Sequence, residues 1–282
     1  MKTKRLLLSA IIVLMGIQIF AQEHKATEFK FPNGTRSMII INPISKEEVN
    51  APDLVSSILP AGTPFSNVNF SGETALGAFS GGAGANLDLN QGVLFGNGCL
   101  EDIIVGENNC DNVGLPGDSD LDNLGSGYET NDAVYLEFDF VPAFSMLQFR
   151  IIYATAEGSD EWDEPCGIFV DGSNIALLPG GSDEISTRTI WGSPYFFANG
   201  GVDAYITYYS STFSISAPVT PGETHHVKIV IADGFDHSVN TYLFVEGTPI
   251  ASRVPFAWWS VFIGLALIIG FTSYRFMTIH KG

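Results

Sequence analysis

AVYLEFDF at residues 133–140 and LQFRIIY at residues 147–153 decide the fold. In the first run Val134, Leu136, Phe138 and Phe140 alternate with Tyr135, Glu137 and Asp139, so an extended chain has one apolar and one polar face. In the second, Leu147, Phe149, Ile151 and Tyr153 share a face, with Gln148 and Arg150 on the other. A period of two marks half-buried strands. The short connection Val141 to Ser145 predicts an antiparallel hairpin in which Arg150 faces Glu137 or Asp139.

The pattern extends outward from there. Ile168–Val170 and Ile175–Leu178 flank Asp171-Gly172-Ser173-Asn174, the turn of a second hairpin. Tyr205–Tyr209, Phe213–Ala217, Val227–Ala232 and Tyr242–Val245 follow as further strands at spacings of roughly ten residues. No helical period is expected between Pro52 and Gly247. Regular short strands, Gly-rich turns and no internal repeat predict one all-β domain, an antiparallel β-sandwich of jelly-roll type, over residues 52–250. Residues 22–51 read as a polar lead-in with one strand near Met38–Ile41.

Both ends of the chain are apolar and read differently. Lys2, Lys4 and Arg5 precede the apolar run Leu6–Phe20 and the small Ala21, the signature of a signal peptide over residues 1–21. Phe256–Tyr274 is an uncharged stretch long enough to cross a hydrocarbon core of about 30 Å as a helix, so a transmembrane anchor is expected at 255–274. Trp258 and Trp259 suit one interface, and Arg275, His280 and Lys281 in the tail 275–282 suit the cytoplasmic side. The expected location is a bacterial cell envelope, with the main domain outside the cytoplasm.

The 282 residues carry 31 acidic and 13 basic side chains, a formal charge of −18. Without the two apolar ends, 8 basic residues face 31 acidic ones, or −23. So acidic a surface excludes nucleic-acid binding, which needs cations to displace phosphate counterions. It favours divalent cations, since crowded carboxylates repel unless something bridges them. In an oxidising compartment Cys99 and Cys110, which bracket a Gly- and Asn-rich loop, are the expected disulfide. Cys166, beside Pro165 and ahead of Ile168, Phe169 and Val170, is expected as a buried free thiol.

The sharpest local motif is Asp118-Ser119-Asp120-Leu121-Asp122, with Glu129 eleven positions after Asp118. Oxygen ligands at alternate positions of a curved loop converge on one hard cation, and this spacing matches positions one, three, five and twelve of an EF-hand loop. Asn123 replaces the turn glycine and Gly125 the usual apolar residue, so the expectation is an EF-hand-like calcium loop on a β scaffold. A second acidic group, Glu157, Asp160, Glu161, Asp163 and Glu164, follows the strand ending at Tyr153. It could bind metal, supply the carboxylate pair of a glycosidase, or be solvated; Trp162 within it could stack on a sugar or cover the loop. Asp233 and Asp236 could add ligands to either group. No HExxH, GxSxG, phosphate-binding loop or dinucleotide fingerprint supports a nucleotide enzyme or a familiar hydrolase.

Leu54-Val55, Gly77-Ala78-Phe79-Ser80-Gly81-Gly82, Leu87-Asp88, Gly92-Val93-Leu94, Gly117 to Asp122, Thr130-Asn131-Asp132-Ala133 and Leu136 to Pro142 together resemble the choice-of-anchor L domain of bacterial surface proteins. Leu147 to Arg150, Asn174 to Gly180, His226 to Ile229 and Ile231-Ala232-Asp233 continue the resemblance, which spans roughly Pro52–Pro249. It implies an extracellular, mostly β module carried with interchangeable C-terminal attachment signals. The chain departs from it at Ala154–Ser159, Glu164–Phe169 and Phe235–Thr241, which leaves ligands in those loops less secured than Asp118, Asp120 and Asp122. Val254-Pro255, the apolar stretch and the basic end also resemble tails processed by exosortase-like transpeptidases, beside the alternative of a retained span. The expected function is a non-enzymatic, calcium-stabilised module for adhesion or for binding a glycan or surface protein. A carbohydrate-active hydrolase and a ligand-free surface-layer component are the alternatives.

Overall fold

The computed structural model describes residues 26–30, 36–46, 49–82, 87–105, 109–124, 128–199 and 206–248. The signal-peptide segment, Gly125, the apolar stretch 256–274 and the basic tail lie outside the described residues. No helix among the described residues is long and apolar enough to cross a membrane.

The described strands are β1 (Ala26–Lys30), β2 (Arg36–Pro43), β3 (Phe65–Phe70), β4 (Leu76–Ser80), β5 (Gln91–Gly96), β6 (Thr130–Phe140) and β7 (Met146–Thr155). They continue with β8 (Cys166–Val170), β9 (Ser173–Asn174), β10 (Phe196–Ala198), β11 (Tyr208–Ser210), β12 (Phe213–Pro218), β13 (His225–Gly234) and β14 (Thr241–Gly247). A nine-stranded sheet runs β1-β2-β4-β5-β14-β7-β11-β10, with β12 also on β7, and a five-stranded sheet runs β3-β6-β13-β8-β9. Every pairing between them is antiparallel. Their inner faces share one core that includes Val93, Phe95, Leu136, Phe138, Phe149, Ile151, Ile168, Ile229 and Leu243. The all-β sandwich expected from alternation is therefore what forms.

The pairing of the two deciding strands differs from expectation. β6 and β7 do not form a hairpin: β6 pairs with β3 and β13, and β7 with β11, β12 and β14. Residues 141–145 arch from one sheet to the other, so Phe138 and Phe140 face Leu147 and Phe149 across the core. Stacked face to face, the apolar faces of the two strands both enter the shared core. Arg150 consequently meets Glu246 at 2.7 Å and Asp88 at 2.8 Å, while Glu137 and Asp139 bond Asn69 and Asn67. The second hairpin does form, but its return strand is the short β9, set by Asp171 at φ 50° and Gly172 at φ 79°.

A helix was not expected after Pro52, yet α1 (Ala51–Ile58) closes one edge of the core. Asn50 accepts from the Asp53 amide while Asp53 reaches back to the Asn50 amide, a capping box, and Pro52 suits the first turn. Ala51, Leu54, Val55 and Ile58 are buried at helical spacing. The lead-in also belongs to the sandwich, because β1 pairs with β2 and β2 with β4. Each sheet has a further apolar layer outside. Ile39, Phe79, Leu94, Ile152 and Phe244 lie with Leu100 and Ile103 of α2 (Leu100–Val105), and Ala133, Phe169 and Val230 lie with Leu121.

Candidate functional site

The residues at 118–122 form a helical turn, α3 (Ser119–Asp122), capped by Asp118, which accepts from the Asp120 amide at 3.0 Å. Leu121 anchors it in the outer apolar layer. Lys228, on the outward phase of β13, reaches Asp118 at 2.5 Å and Asp120 at 2.7 Å. Asp122 accepts from the backbone amide and hydroxyl of Thr130, both at 2.7 Å, and Glu129 is exposed. Three of the four residues expected around a calcium ion thus already have partners, and the cation among them is a lysine. Positions two apart diverge around a helix, where a curved loop would bring them together.

A second acidic group forms at one end of the core. Along six segments the inward alternation changes from apolar to polar there. Phe95 leads to Asn97, Tyr153 to Thr155 and Glu157, Leu243 back to Thr241, Val134 back to Asp132, Ile231 on to Asp233, and Cys166 back to Glu164, all buried. β6 assists with a bulge. Ile231 faces Val134 but Asp233 faces Asn131, so β6 spends an extra residue, and Asp132 takes φ 50°.

Asn97 organises the middle of this group. Its Oδ1 accepts from the Thr241 amide at 2.6 Å, and its Nδ2 donates to Glu164 Oε2 at 2.5 Å and to Asp233 Oδ1. The other carboxylate oxygens, Glu164 Oε1 and Asp233 Oδ2, are buried with no hydrogen-bond partner. Tyr153 donates its hydroxyl to the Glu164 carbonyl at 2.8 Å and lies 2.6 Å from the Thr187 hydroxyl. On the flank Asp132 accepts from the Leu115 amide and pairs with His237 Nδ1 at 2.7 Å.

Burial, then the neighbouring charges of Asp233, Glu157 and Asp236, push the Glu164 carboxyl well above the usual range. Burial also raises Asp233 to about 8; its bond with Glu164 works the other way, and Asp132 and Asp236 add repulsion. Glu157 is raised to about 7 by burial and then by Asp236. Among the described residues no Lys or Arg forms an ion pair with Glu157, Glu164, Asp233 or Asp236. Asp132, Asp233 and His237 also offer three ligand atoms within 4.8 Å of one another.

Of the residues singled out by sequence, Asp233 and Glu157 are buried at this end, and the half-buried Asp236 is near enough for its charge to raise both carboxyls. Asp163 is buried beside them, accepting from the Arg188 amide at 3.3 Å, while Asp160 stays exposed with Glu161 and Trp162. Asn97, Asp132 and His237 were not foreseen, and Glu164 was seen only as one more acid. The signal for three of them was strand phase: stepping by two from Phe95, Val134 and Cys166 leads to Asn97, Asp132 and Glu164. The Cys99–Cys110 disulfide forms, with Cα atoms 5.3 Å apart, and Cys166 is a buried free thiol whose ionisation burial opposes.

No curated protein matches the chain. Among solved structures it is similar to a family 35 carbohydrate-binding module from an environmental isolate, at 15% identity and a TM-score of 0.23, over 50% of this chain and 90% of that one. A β-glucosidase from Kluyveromyces marxianus aligns at 10% identity and a TM-score of 0.23, over 50% of this chain and 13% of the enzyme. The family comparison is decisive: the sequence pattern of the choice-of-anchor L domain matches residues 43–250, which takes in β3 through β14, and the chain belongs to that family.

Proposed function

We propose that this protein is an exported, membrane-anchored module of the bacterial surface, a calcium-stabilised sandwich without catalytic activity that serves adhesion by binding a glycan or a surface protein. Family membership implies the bacterial surface. Export would run through residues 1–21 and anchoring through 256–274. The observation that supports calcium is the uncompensated acid at one end of the sandwich, where Glu164 and Asp233 are fully buried with unpartnered oxygens. Buried carboxylates without a cation are costly, and an oxygen-rich interior suits calcium. These groups also lie in the interior beyond the core strands, an arrangement that favours a structural ion over a pair of acids flanking a sugar cleft.

The test is a soluble domain, residues 22–254, unfolded by heat in chelator and in millimolar calcium, and applied to glycan and surface-protein arrays in both. A ligand specific to the folded state adds about 2.7 kcal/mol at a hundred times Kd, so a rise of several degrees and at least one array ligand are expected. No rise would remove calcium from the reading, and blank arrays would favour a surface-layer component. Glu157, raised to about 7, is matched to general-acid work, so a polysaccharide panel belongs in the same experiment. Turnover lost in Glu157→Gln would replace binding with hydrolysis.

A further inference from the structure

We infer that the domain binds one calcium ion inside the end of the sandwich, at the unpartnered oxygens of Glu164 and Asp233 with the charges of Glu157 and Asp236 nearby, and not at the Asp118–Asp122 turn. The assignment rests on the calcium reading above and gives it a place. Asn97 is the positioning residue. By donating from one amide nitrogen to one oxygen of each carboxylate, it leaves Glu164 Oε1 and Asp233 Oδ2 as the buried oxygens without partners. An orphaned buried oxygen costs about 1 to 3 kcal/mol, more when charged, and native interiors rarely keep two together. Water could satisfy the hydrogen bonds, but it could not offset the repulsion from Glu157 and Asp236, which a divalent cation would remove.

The comparison with the other acidic group sharpens the assignment. At the turn, Lys228 supplies the positive charge and Thr130 takes Asp122, so the oxygens there are engaged. At the sandwich end no Lys or Arg among the described residues forms an ion pair with the four acids. The donor set is oxygen from carboxylates, which selects a hard ion, and calcium with its flexible coordination accepts such a set more readily than magnesium, which demands near-ideal octahedral geometry. His237 Nδ1 is held by Asp132, but Asp132, Asp233 and His237 make a rival set for zinc. Glu164 stands just before β8 and Asp233 at the end of β13, with Glu157 beyond β7 close by, so the ion would sit where the ends of the two sheets meet.

The test uses the full chain in detergent, with terbium as a luminescent calcium probe. Tyr153, bonded to the Glu164 carbonyl, and Trp162, two residues away, are suitable sensitisers. Sensitised terbium emission displaced by calcium is expected at one equivalent. Glu164→Gln and Asp233→Asn should each weaken calcium at least tenfold, yet unfold in chelator no lower than the parent, because each keeps an oxygen for the Asn97 amide and replaces a buried carboxyl that no cation compensates. Asp120→Asn should leave calcium affinity within twofold. Loss of calcium binding in Asp120→Asn, with Glu164→Gln and Asp233→Asn unchanged, would overturn the site and keep the calcium reading. No binding or calcium stabilisation in the parent chain would overturn both. Zinc binding that is abolished by His237→Ala, with no calcium binding, would assign the end of the sandwich to the rival set and overturn this one.

Discussion

Replacing Lys228 by Met tests whether an internal lysine stands where a metal was expected. The Lys228 side chain is 13% exposed, Asp118 10% and Asp120 49%. Burial pulls the ammonium pKa down, and bonds to Asp118 and then Asp120 more than offset it, so the pKa is raised. Removing one partner from a fully buried pair costs about 3 to 5 kcal/mol, whereas exposed pairs contribute roughly 0 to 1. Asp118 lies nearer the first limit and Asp120 the second. Asp118 also keeps the bond from the Asp120 amide. The expected loss is therefore about 2 to 3 kcal/mol, or roughly 5 to 10 °C at 2 to 4 °C per kcal/mol for a domain of this size. Calorimetry at neutral pH in chelator measures it directly. Adding Asp118→Asn to Lys228→Met should recover at least about 1 kcal/mol, because the stranded charge is gone, and a double-mutant cycle gives the coupling. A loss below about 0.5 kcal/mol, or no recovery in the double variant, would refute the claim that Lys228 neutralises a desolvated acid.

Other perturbations follow from the same geometry. The His225–Asp171 pair, 2.7 Å apart, raises the His225 pKa above its ordinary value, chiefly through the hydrogen bond. Against the effect of burial, bonds from His225 and the His226 amide hold Asp171 below its own. The histidine contribution is full below about pH 6.5 and is lost as pH rises through the raised value. His225→Gln should accordingly lower Tm most near about pH 5.5 and least near about pH 8.5, and an equal effect at both would deny the charged pair. Tyr153→Phe strands the Glu164 carbonyl and the Thr187 hydroxyl, so urea unfolding should show a loss of about 1 to 3 kcal/mol. Reducing the Cys99–Cys110 disulfide should cost about 3 kcal/mol, read as a fall in Tm under a thiol-free reductant. Gly98→Ala would drive a methyl group into the Asn240 amide, which donates to Asp102 at 2.9 Å; a loss of about 1 to 3 kcal/mol is expected, and unchanged stability would mean that Asn240 moves freely.

Alternation at Val134 to Phe140 and Leu147 to Tyr153 identified strands and their buried faces, since period two depends only on the local pleat. It could not name their neighbours. A side chain's face is compatible with a hairpin or with an arch between sheets, and only the rest of the core decides between them. The helix at Ala51–Ile58 was legible in principle from Asn50, Pro52, Asp53 and the 3.6-residue spacing of its apolar positions, but its 8 residues are easily taken for a turn. The Asp118 motif shows a related limit: EF-hand spacing describes positions along a chain, whereas ligation depends on backbone curvature, and these residues form a helical turn facing Lys228. Asn97, Glu164 and Asp233 are 67 and 69 positions apart in succession. Their meeting depends on sheet order, so their chemistry was visible in the sequence and their proximity was not.

The contrast between the two acidic groups follows from strand phase on β13. Lys228 and Asp233 are an odd number of positions apart on that strand, so the lysine points outward to Asp118 and Asp120 while the aspartate points into the end of the core. One face of the sheet receives a positive charge that the other cannot share. The inner group must stay partly protonated, admit solvent or take up a cation, and only the last leaves Glu157, Glu164 and Asp233 all ionised in a buried setting. A cation there would make the connections after β7, before β8 and after β13 depend on calcium, while the opposite region beneath α1 is closed by Leu54, Val55 and Ile58 and needs no ion. Limited proteolysis should register that asymmetry: chelation should open cleavage within 156–164 and 235–239 but leave 51–59 protected. Equal exposure of both regions would mean that the ion, if bound, steadies the whole sandwich and not one end of it.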